Sequence, residues 1–146
     1  MTKRKLLGAM LLPLLLMVGG CKDSYGACEK GALDVGNGIA AGMKSVDQLR
    51  VAGAISVNEE TDVLNYLEFA NKANGAFATC AQQAHTAGSK AGAYTACATT
   101  FQTALANPQM LLMIHVSNPT AQQNVQVIIN SVNTGIAAVL TALGGK

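Results

Sequence analysis

The residues from Pro119 to Leu143, PTAQQNVQVIINSVNTGIAAVLTAL, decide the fold class of this chain. Apolar side chains recur along them at steps of three and four residues, at Ala121, Val125, Ile128, Val132, Ile136, Val139 and Leu143. This spacing is the period of one face of an α-helix, and nowhere else in the chain is it as regular. Asn118 and Pro119 are typical of a helix start, and Gly144 is typical of a helix end. The stretch therefore predicts a long amphipathic helix that buries one face.

The same spacing upstream predicts three more helices, over about residues 28–52, 57–87 and 90–106. Ser56 and Glu59 have the spacing of a capping box, in which each side chain binds the other residue's backbone amide at the start of the second helix. Gly88 is suited to end that helix in a left-handed conformation, and Ser89 is a candidate cap for the third.

Four glycines interrupt the first predicted helix, and they leave two interpretations open. Each costs about 1 kcal/mol relative to alanine inside a helix. Gly38 and Gly42 are four residues apart, so they could let another helix approach closely. Alternatively, residues 36–38 form a loop that divides the helix.

Proline marks an interruption after the third helix. Asn107-Pro108 breaks the helical pattern because proline lacks an amide donor and disfavours helical backbone at the residue before it. The segment from Met110 to Ile114 is apolar on all sides, so we expect it to be buried. Together these patterns predict an all-α fold: an antiparallel four-helix bundle with its third helix kinked or split at Pro108.

The first residues have the composition of an export signal. Lys3, Arg4 and Lys5 precede an apolar run of 13 residues from Leu6 to Val18, which is followed by small residues. A membrane-spanning helix is the alternative, but such a helix needs about 20 apolar residues. The pattern therefore favours a cleaved signal peptide.

The end of this segment, Val18-Gly19-Gly20-Cys21, resembles the lipobox of bacterial lipoproteins. The resemblance covers residues 1–21 only. It implies that Cys21 receives a diacylglyceryl group and fatty acyl chains such as palmitate, and that cleavage before Cys21 makes it the first mature residue. The implied organisation is a signal peptide at 1–20, a lipidated tether at 21–26 and a single helical domain at 27–146. Lys22 stands where an aspartate would retain an enteric lipoprotein in the inner membrane, so an outer-membrane location is allowed.

Charge is unevenly distributed along the chain. The formal charge of +2 becomes −1 once the three cations of the signal are removed, which argues against a nucleic-acid partner. Every acidic residue lies at or before Glu68, and no charged side chain lies between Lys90 and Lys146. Two interpretations remain: a solvated polar surface of helices 3 and 4, or a surface that contacts a partner, a membrane or a second copy of the chain.

Three cysteines remain after Cys21, and an exported chain meets an oxidising compartment. Cys80 and Cys97 lie eight residues before and nine residues after Gly88, so antiparallel helices would place them at one height. A Cys80–Cys97 disulfide is the favoured prediction. A bridge that uses Cys28, and three free thiols in the core, are the alternatives.

Neither metal binding nor catalysis has a recognisable motif in this sequence. A zinc site would need a fourth ligand besides three cysteines; His85 is turned away from the Cys80 face, and no CxxC or HExxH pair is present. The sequence likewise contains no nucleophile elbow and no phosphate-binding glycine loop. We therefore expect no catalytic residue, no metal and no cofactor.

The expected function is that of a lipid-anchored cell-envelope protein, not an enzyme. Its membrane attachment would be the acylated Cys21, and helices 3 and 4 would contact an envelope protein or support envelope structure. The alternative is a carrier that binds a small apolar ligand between helices, near residues 110–114.

Overall fold

A computed structural model describes residues 23–107 and 114–144. Four helices make up its regular structure: α1 (Ser24–Val51), α2 (Val57–Thr86), α3 (Ala91–Leu105) and α4 (Pro119–Ala142). No strand occurs in these two ranges, and the all-α prediction is confirmed. The predicted kink at Pro108 and all but the last residue of the apolar segment 110–114 lie outside the described residues.

The start of α1 differs from the prediction. The Asp23 carboxylate accepts the Tyr25 backbone N–H at 3.0 Å, which caps the helix at Ser24. Residues 24–26, which the sequence assigned to the tether, therefore form the first turn of α1. The helix then runs through residues 36–38 without a break, so the alternative interpretation of a loop there is wrong.

The capping box of α2 is confirmed. The Glu59 N–H donates to Ser56 Oγ at 3.3 Å, and the Ser56 N–H donates to Glu59 Oε2 at 2.7 Å. At the other end Gly88 has φ 65°, and the Ser89 N–H donates to the carbonyl of Ala84 at 2.9 Å. These two features form a Schellman motif.

The predicted cap of α3 is wrong because Ser89 belongs to the end of α2. The N-cap residue of α3 is Lys90, and its side chain makes no capping hydrogen bond. The prediction for α4 is confirmed: Asn118 Oδ1 accepts from the backbone N–H groups of Thr120 and Ala121 at 3.0 and 3.1 Å, with Pro119 in the first turn.

The predicted apolar stripes form the core. The stripe that the sequence predicts on α2 is buried at every position: Val63, Leu67, Ala70, Phe77, Ala81 and Ala84. The predicted stripe of α4 is buried from Ala121 to Val139. Phe77 of α2 stacks on Phe101 of α3 with ring centroids 5.6 Å apart. Tyr66 and Asn74 are also buried, although the sequence pattern did not indicate it. Asn74 Nδ2 donates to the carbonyl of Ala32 at 2.8 Å and so connects α2 to α1.

The contacts of α1 with α2 and α4 show which positions of these helices lie side by side. Along α1, Tyr25, Ala32 and Arg50 contact Gln82, Asn74 and Glu60 of α2, in that order. The same order holds between α1 and α4, where the sites of Gly31, Val35 and Gly42 lie against Val139, Gly135 and Ile128. Residues near the start of α1 thus contact residues near the ends of α2 and α4.

Glycine permits the close approach of α1 and α4. A Cβ atom at Gly42 would lie 2.7 Å from Ile128 Cγ2, and one at Gly31 would overlap a methyl group of Val139. Gly135 of α4 receives Val35 of α1 in the same way, at 2.8 Å. The prediction is confirmed for Gly42 and wrong for Gly38, where a Cβ would meet nothing within 4 Å.

Candidate functional site

The structure places Cys80 of α2 and Cys97 of α3 at disulfide-bonding distance, with their Cα atoms 5.8 Å apart. This is the pair that the sequence favoured, and it connects the two helices on either side of the turn at Gly88. The bridge closes a loop with a sequence separation of 17 residues. Cys97 is buried, whereas Cys80 is exposed.

Cys28 is a free thiol in the core, with no exposed surface. Its burial, with a smaller effect of the Asp23 charge, raises the pKa of the thiol from 9.0 to about 11. The neutral thiol is therefore the form present at neutral pH. Since the thiolate is the reactive form of cysteine, Cys28 acts here as a small apolar side chain.

Glu59 connects the start of α2 to the segment before α4. Its Oε1 accepts the Ser117 N–H at 2.6 Å while its Oε2 accepts that of Ser56. These two backbone hydrogen bonds lower the pKa of the Glu59 carboxyl from 4.5 to about 2. Sequence reasoning found the bond to Ser56 but missed Ser117, which is 58 residues away.

Replacing Glu59 with glutamine is expected to change how the stability of the folded protein depends on pH. The folded-state pKa is lower than the unfolded one, so the contribution of this carboxylate is present above about pH 4.5 and is lost as the pH falls towards 2. Glutamine keeps a hydrogen-bond acceptor but does not titrate in this range. Thermal melting from pH 7 to pH 2 should therefore show a smaller decrease in Tm for Glu59→Gln than for wild type. The matched control, Glu68→Gln at an exposed position of the same helix, should follow the wild-type profile; identical profiles for all three proteins would contradict the account.

The exposed side chains of α3 and α4, together called the α3–α4 surface, carry no charge. Glutamine, asparagine, threonine and alanine dominate the surface, and Val127 of α4 is a 52% exposed apolar member of it. Its main polar members are Gln102, Thr103, Gln123, Gln126, Asn130 and Thr134. All charged side chains of the described helices lie on α1 and α2. The four helices thus present one charged and one uncharged side.

A groove of about 250 Å³ lies beside α4 on this surface. The buried side chains of Val116, Val125 and Ile129 line it together with Ile114, which is half-buried. Four carboxamides also line it: Gln122, Gln126, Asn130 and Asn133. Gln126 Nε2 donates to Asn130 Oδ1 at 3.1 Å, so two of these amides are already paired. The groove is suited to an uncharged, partly apolar group.

Neither histidine belongs to the buried core. His85 is exposed and stacks on the ring of Tyr25 at a centroid distance of 4.1 Å, while His115 is exposed in the segment before α4. Within residues 23–107 and 114–144, no group of three His, Cys, Asp or Glu side chains has the arrangement of a metal site.

Helix α4 is long and apolar enough to cross a membrane by length and composition, with a mean hydropathy of 1.5. The core helix of a soluble protein passes the same test. The apolar stripe of α4 packs against α1 and α3.

Cys21, the predicted lipidation site, lies outside the described residues, two positions before Asp23. The structure brings together Cys80 and Cys97 and leaves Cys28 unpaired in the core. Comparison of the chain with models of protein families, with curated proteins and with solved structures finds no match.

Proposed function

We propose that this chain is a lipid-anchored protein of the bacterial cell envelope whose helical domain presents the α3–α4 surface to a protein partner. The lipobox-like residues Val18 to Cys21 support the anchor. The observation that carries the interaction is the absence of charge from the exposed residues of α3 and α4. The proposed activity is non-enzymatic.

The proposed architecture is an antiparallel four-helix bundle. It is supported by the opposite order of contacts along α1 and α2 and along α1 and α4, and by the pairing of Cys80 with Cys97 and of Phe77 with Phe101. The connections at residues 52–56 and 87–90 are short, and short connections usually join antiparallel neighbours. In this arrangement α3 and α4 are adjacent, so their exposed residues form one continuous surface.

Charge depletion favours a contact surface over a merely solvated one. Protein surfaces that remain in water usually carry both signs of charge, as α1 and α2 do here. Interface centres are depleted of charge because a buried unpaired ion loses several kcal/mol of hydration energy. Amides and hydroxyls can pair across an interface without that cost.

Site-specific photo-cross-linking in intact cells tests the partner. A photoreactive residue at Val127, on the α3–α4 surface, should give a discrete adduct with an envelope protein. The same residue at Leu33, which is 64% exposed on α1, should not. Asn130→Asp places a charge on the surface with almost no change in size and should reduce the yield at Val127, whereas the matched change Asn37→Asp on α1 should not. Equal adducts from Leu33 and Val127 would contradict the proposal.

Replacing Cys21 with alanine is expected to abolish acylation of the chain. The proposed acyl chains are attached to the sulfur of Cys21, where each buried CH₂ would contribute about 0.8 kcal/mol of membrane binding. Mass spectrometry of the protein isolated from cells should find an acylated wild-type chain and no acyl group on Cys21→Ala. Cys28→Ala, which removes a thiol from the core, should still be acylated. Acylation that persists in Cys21→Ala would exclude Cys21 as its site.

The groove supports a second candidate function, a carrier for a small apolar ligand. Its apolar lining of Val116, Val125 and Ile129 would contact such a ligand, and its amides would orient one polar end. Mass spectrometry of the purified chain under native conditions should then show a bound lipid-like molecule, lost in Val125→Asn. A chain that is purified without any ligand and binds none of the lipids of its own membrane would exclude the carrier.

A further inference from the structure

The two cysteines of the Cys80–Cys97 bridge differ in their access to solvent. Cys80 is exposed on α2, whereas Cys97 of α3 keeps only 5% of its surface exposed. The rings of Phe77 and Phe101, one helical turn from each cysteine, are buried and stack on each other. Cys97 therefore lies on the core side of the bridge, and Cys80 lies at the edge of the contact between α2 and α3.

Small, uncharged side chains flank Cys80 on the surface of α2. Its exposed neighbours within one helical turn include Ala76, Thr79 and Gln83. Thr79 Oγ1 donates to the carbonyl of Gly75 at 2.9 Å, so this hydroxyl is bound to its own helix. No Asp, Glu, Lys or Arg lies within seven residues of Cys80 in the sequence. A thiolate that approaches Cys80 therefore meets no carboxylate on the neighbouring turns of α2.

Access decides which sulfur of the bridge can react. In thiol–disulfide exchange a thiolate attacks one sulfur, and the other sulfur leaves as a thiolate. Attack at Cys97 requires α2 and α3 to separate first, because that cysteine is buried, whereas attack at Cys80 requires no such opening. Burial also makes Cys97 the poorer leaving group, since it disfavours the thiolate, but this slows attack at Cys80 without preventing it. The difference in access thus favours Cys80 as the point of entry.

We propose that the Cys80–Cys97 bridge is a thiol-exchange site of the folded protein, at which a protein dithiol enters through Cys80. A thiolate of the partner bonds to Cys80 Sγ while the bond between the two cysteines breaks. The electron pair of that bond goes to Cys97 Sγ, which takes up a proton from water. The partner's second thiolate then attacks its own first sulfur, and Cys80 leaves with the electron pair and is protonated. The partner loses two electrons and the bridge gains them; the same steps in reverse form the bridge.

A dithiol is favoured over a monothiol because Cys97 stays close to Cys80 after the first step. The Cα atoms of the two cysteines are 5.8 Å apart, so the released sulfur of Cys97 can attack Cys80 again and expel the partner. A second thiol in the partner competes with this return and completes the transfer. Proteins with a Cys-X-X-Cys pair supply such a dithiol. Cys28 does not compete, because it has no exposed surface and its thiol is neutral at neutral pH.

Two single variants that both lack the bridge test the point of entry. Cys97→Ala leaves the exposed Cys80 thiol, and Cys80→Ala leaves the buried Cys97 thiol, so the two proteins lose the same bridge and differ in access. The probe is thioredoxin whose second active-site cysteine is replaced by serine and whose first carries thionitrobenzoate. Release of thionitrobenzoate from the probe by the full mature chain should be at least about tenfold faster with Cys97→Ala than with Cys80→Ala, because a buried thiol reacts only after local opening.

The oxidised wild-type chain supplies a second measurement that needs no substitution in the protein. It is mixed with the same thioredoxin variant, now with a free thiol, and the reaction is quenched with acid at early times. Trypsin cleaves after Lys72 and Lys90, so Cys80 and Cys97 fall in different peptides and neither contains Cys21 or Cys28. The mixed disulfide should be found on the peptide of residues 73–90 and not on that of residues 91–146.

Three results would count against the proposal. A mixed disulfide of the wild-type chain at Cys97 would overturn entry at Cys80, whether or not both single variants fold. Equal rates of the two variants, when both have the helical circular dichroism spectrum of wild type, would overturn it as well. Reduction of the wild-type bridge by glutathione as fast as by unmodified thioredoxin at the same thiol concentration would overturn the protein dithiol as the partner. None of these results depends on the lipid anchor.

Discussion

Replacing Gly42 with valine is expected to lower the free energy of unfolding by about 2–3 kcal/mol, the usual cost of overpacking a well-packed core. The first added carbon would already lie 2.7 Å from Ile128 Cγ2, and Leu67 is 3.6 Å away on the other side. Ile128 is β-branched, so its methyl group moves only with a change of rotamer or of backbone. The remaining way to avoid this clash is to move α1 away from α4, which would loosen the core along both helices. Urea denaturation followed by circular dichroism measures the loss.

Gly38 supplies the matched control for Gly42. It lies one turn earlier in the same helix, and a Cβ there would meet no atom within 4 Å. Gly38→Val should change stability by less than about 0.5 kcal/mol, because valine and glycine differ little in helix propensity. If both variants lost the same stability, helix propensity and not the contact of α1 with α4 would be the cause.

Removal of the Cys80–Cys97 bridge is expected to cost about 3 kcal/mol. Closing a loop of this length restricts the unfolded chain by that amount on the chain-entropy model. The bridge also fixes α2 against α3 beside the stacked rings of Phe77 and Phe101. The double variant Cys80→Ala/Cys97→Ala should therefore unfold at lower denaturant concentration than the oxidised wild type. The total free energy of unfolding of a small domain is only about 5–15 kcal/mol, so the shift in the denaturation midpoint should be large.

Reduction of the wild-type protein tests the same bridge without a mutation. Dithiothreitol should lower wild-type stability to about that of the double variant and leave the double variant unchanged. Cys28→Ala should retain the effect of the reductant, since Cys28 takes no part in the bridge. This pairing would be contradicted if dithiothreitol did not lower the stability of the wild-type protein. It would also be contradicted if dithiothreitol did not lower the stability of Cys28→Ala.

Much of the fold is visible in the sequence because apolar spacing reports burial directly. The predicted stripes on α2 and α4 are buried in the structure from Val63 to Ala84 and from Ala121 to Val139. The caps at Ser56 and Asn118 were also predictable, because each acts within three residues of itself. A hydrogen bond between residues that are close in sequence can be predicted from those residues alone.

Several features that depend on two distant segments could not be predicted from the sequence. Gly38 and Gly42 have the same local context, and only the position of α4 decides which one is in contact. The bond from Ser117 to Glu59 likewise joins segments that the sequence does not relate. The sequence favours Ser89 as a cap because serine suits that position, but the Ser89 amide donates to the carbonyl of Ala84 at the end of α2.

The candidate site was only partly predictable for the same reason. The sequence identified the uncharged stretch after Lys90, but the groove beside α4 depends on how Val116 and Ile129 come together.

The most direct test of the account is the intact mass of the native protein isolated from its own membranes, combined with fragmentation of its N-terminal peptide. The expected product is a chain that begins at Cys21, with the additional mass of a diacylglyceryl group on its sulfur. A membrane-derived chain that still begins at Met1, or one with an unmodified sulfur at Cys21, would contradict it.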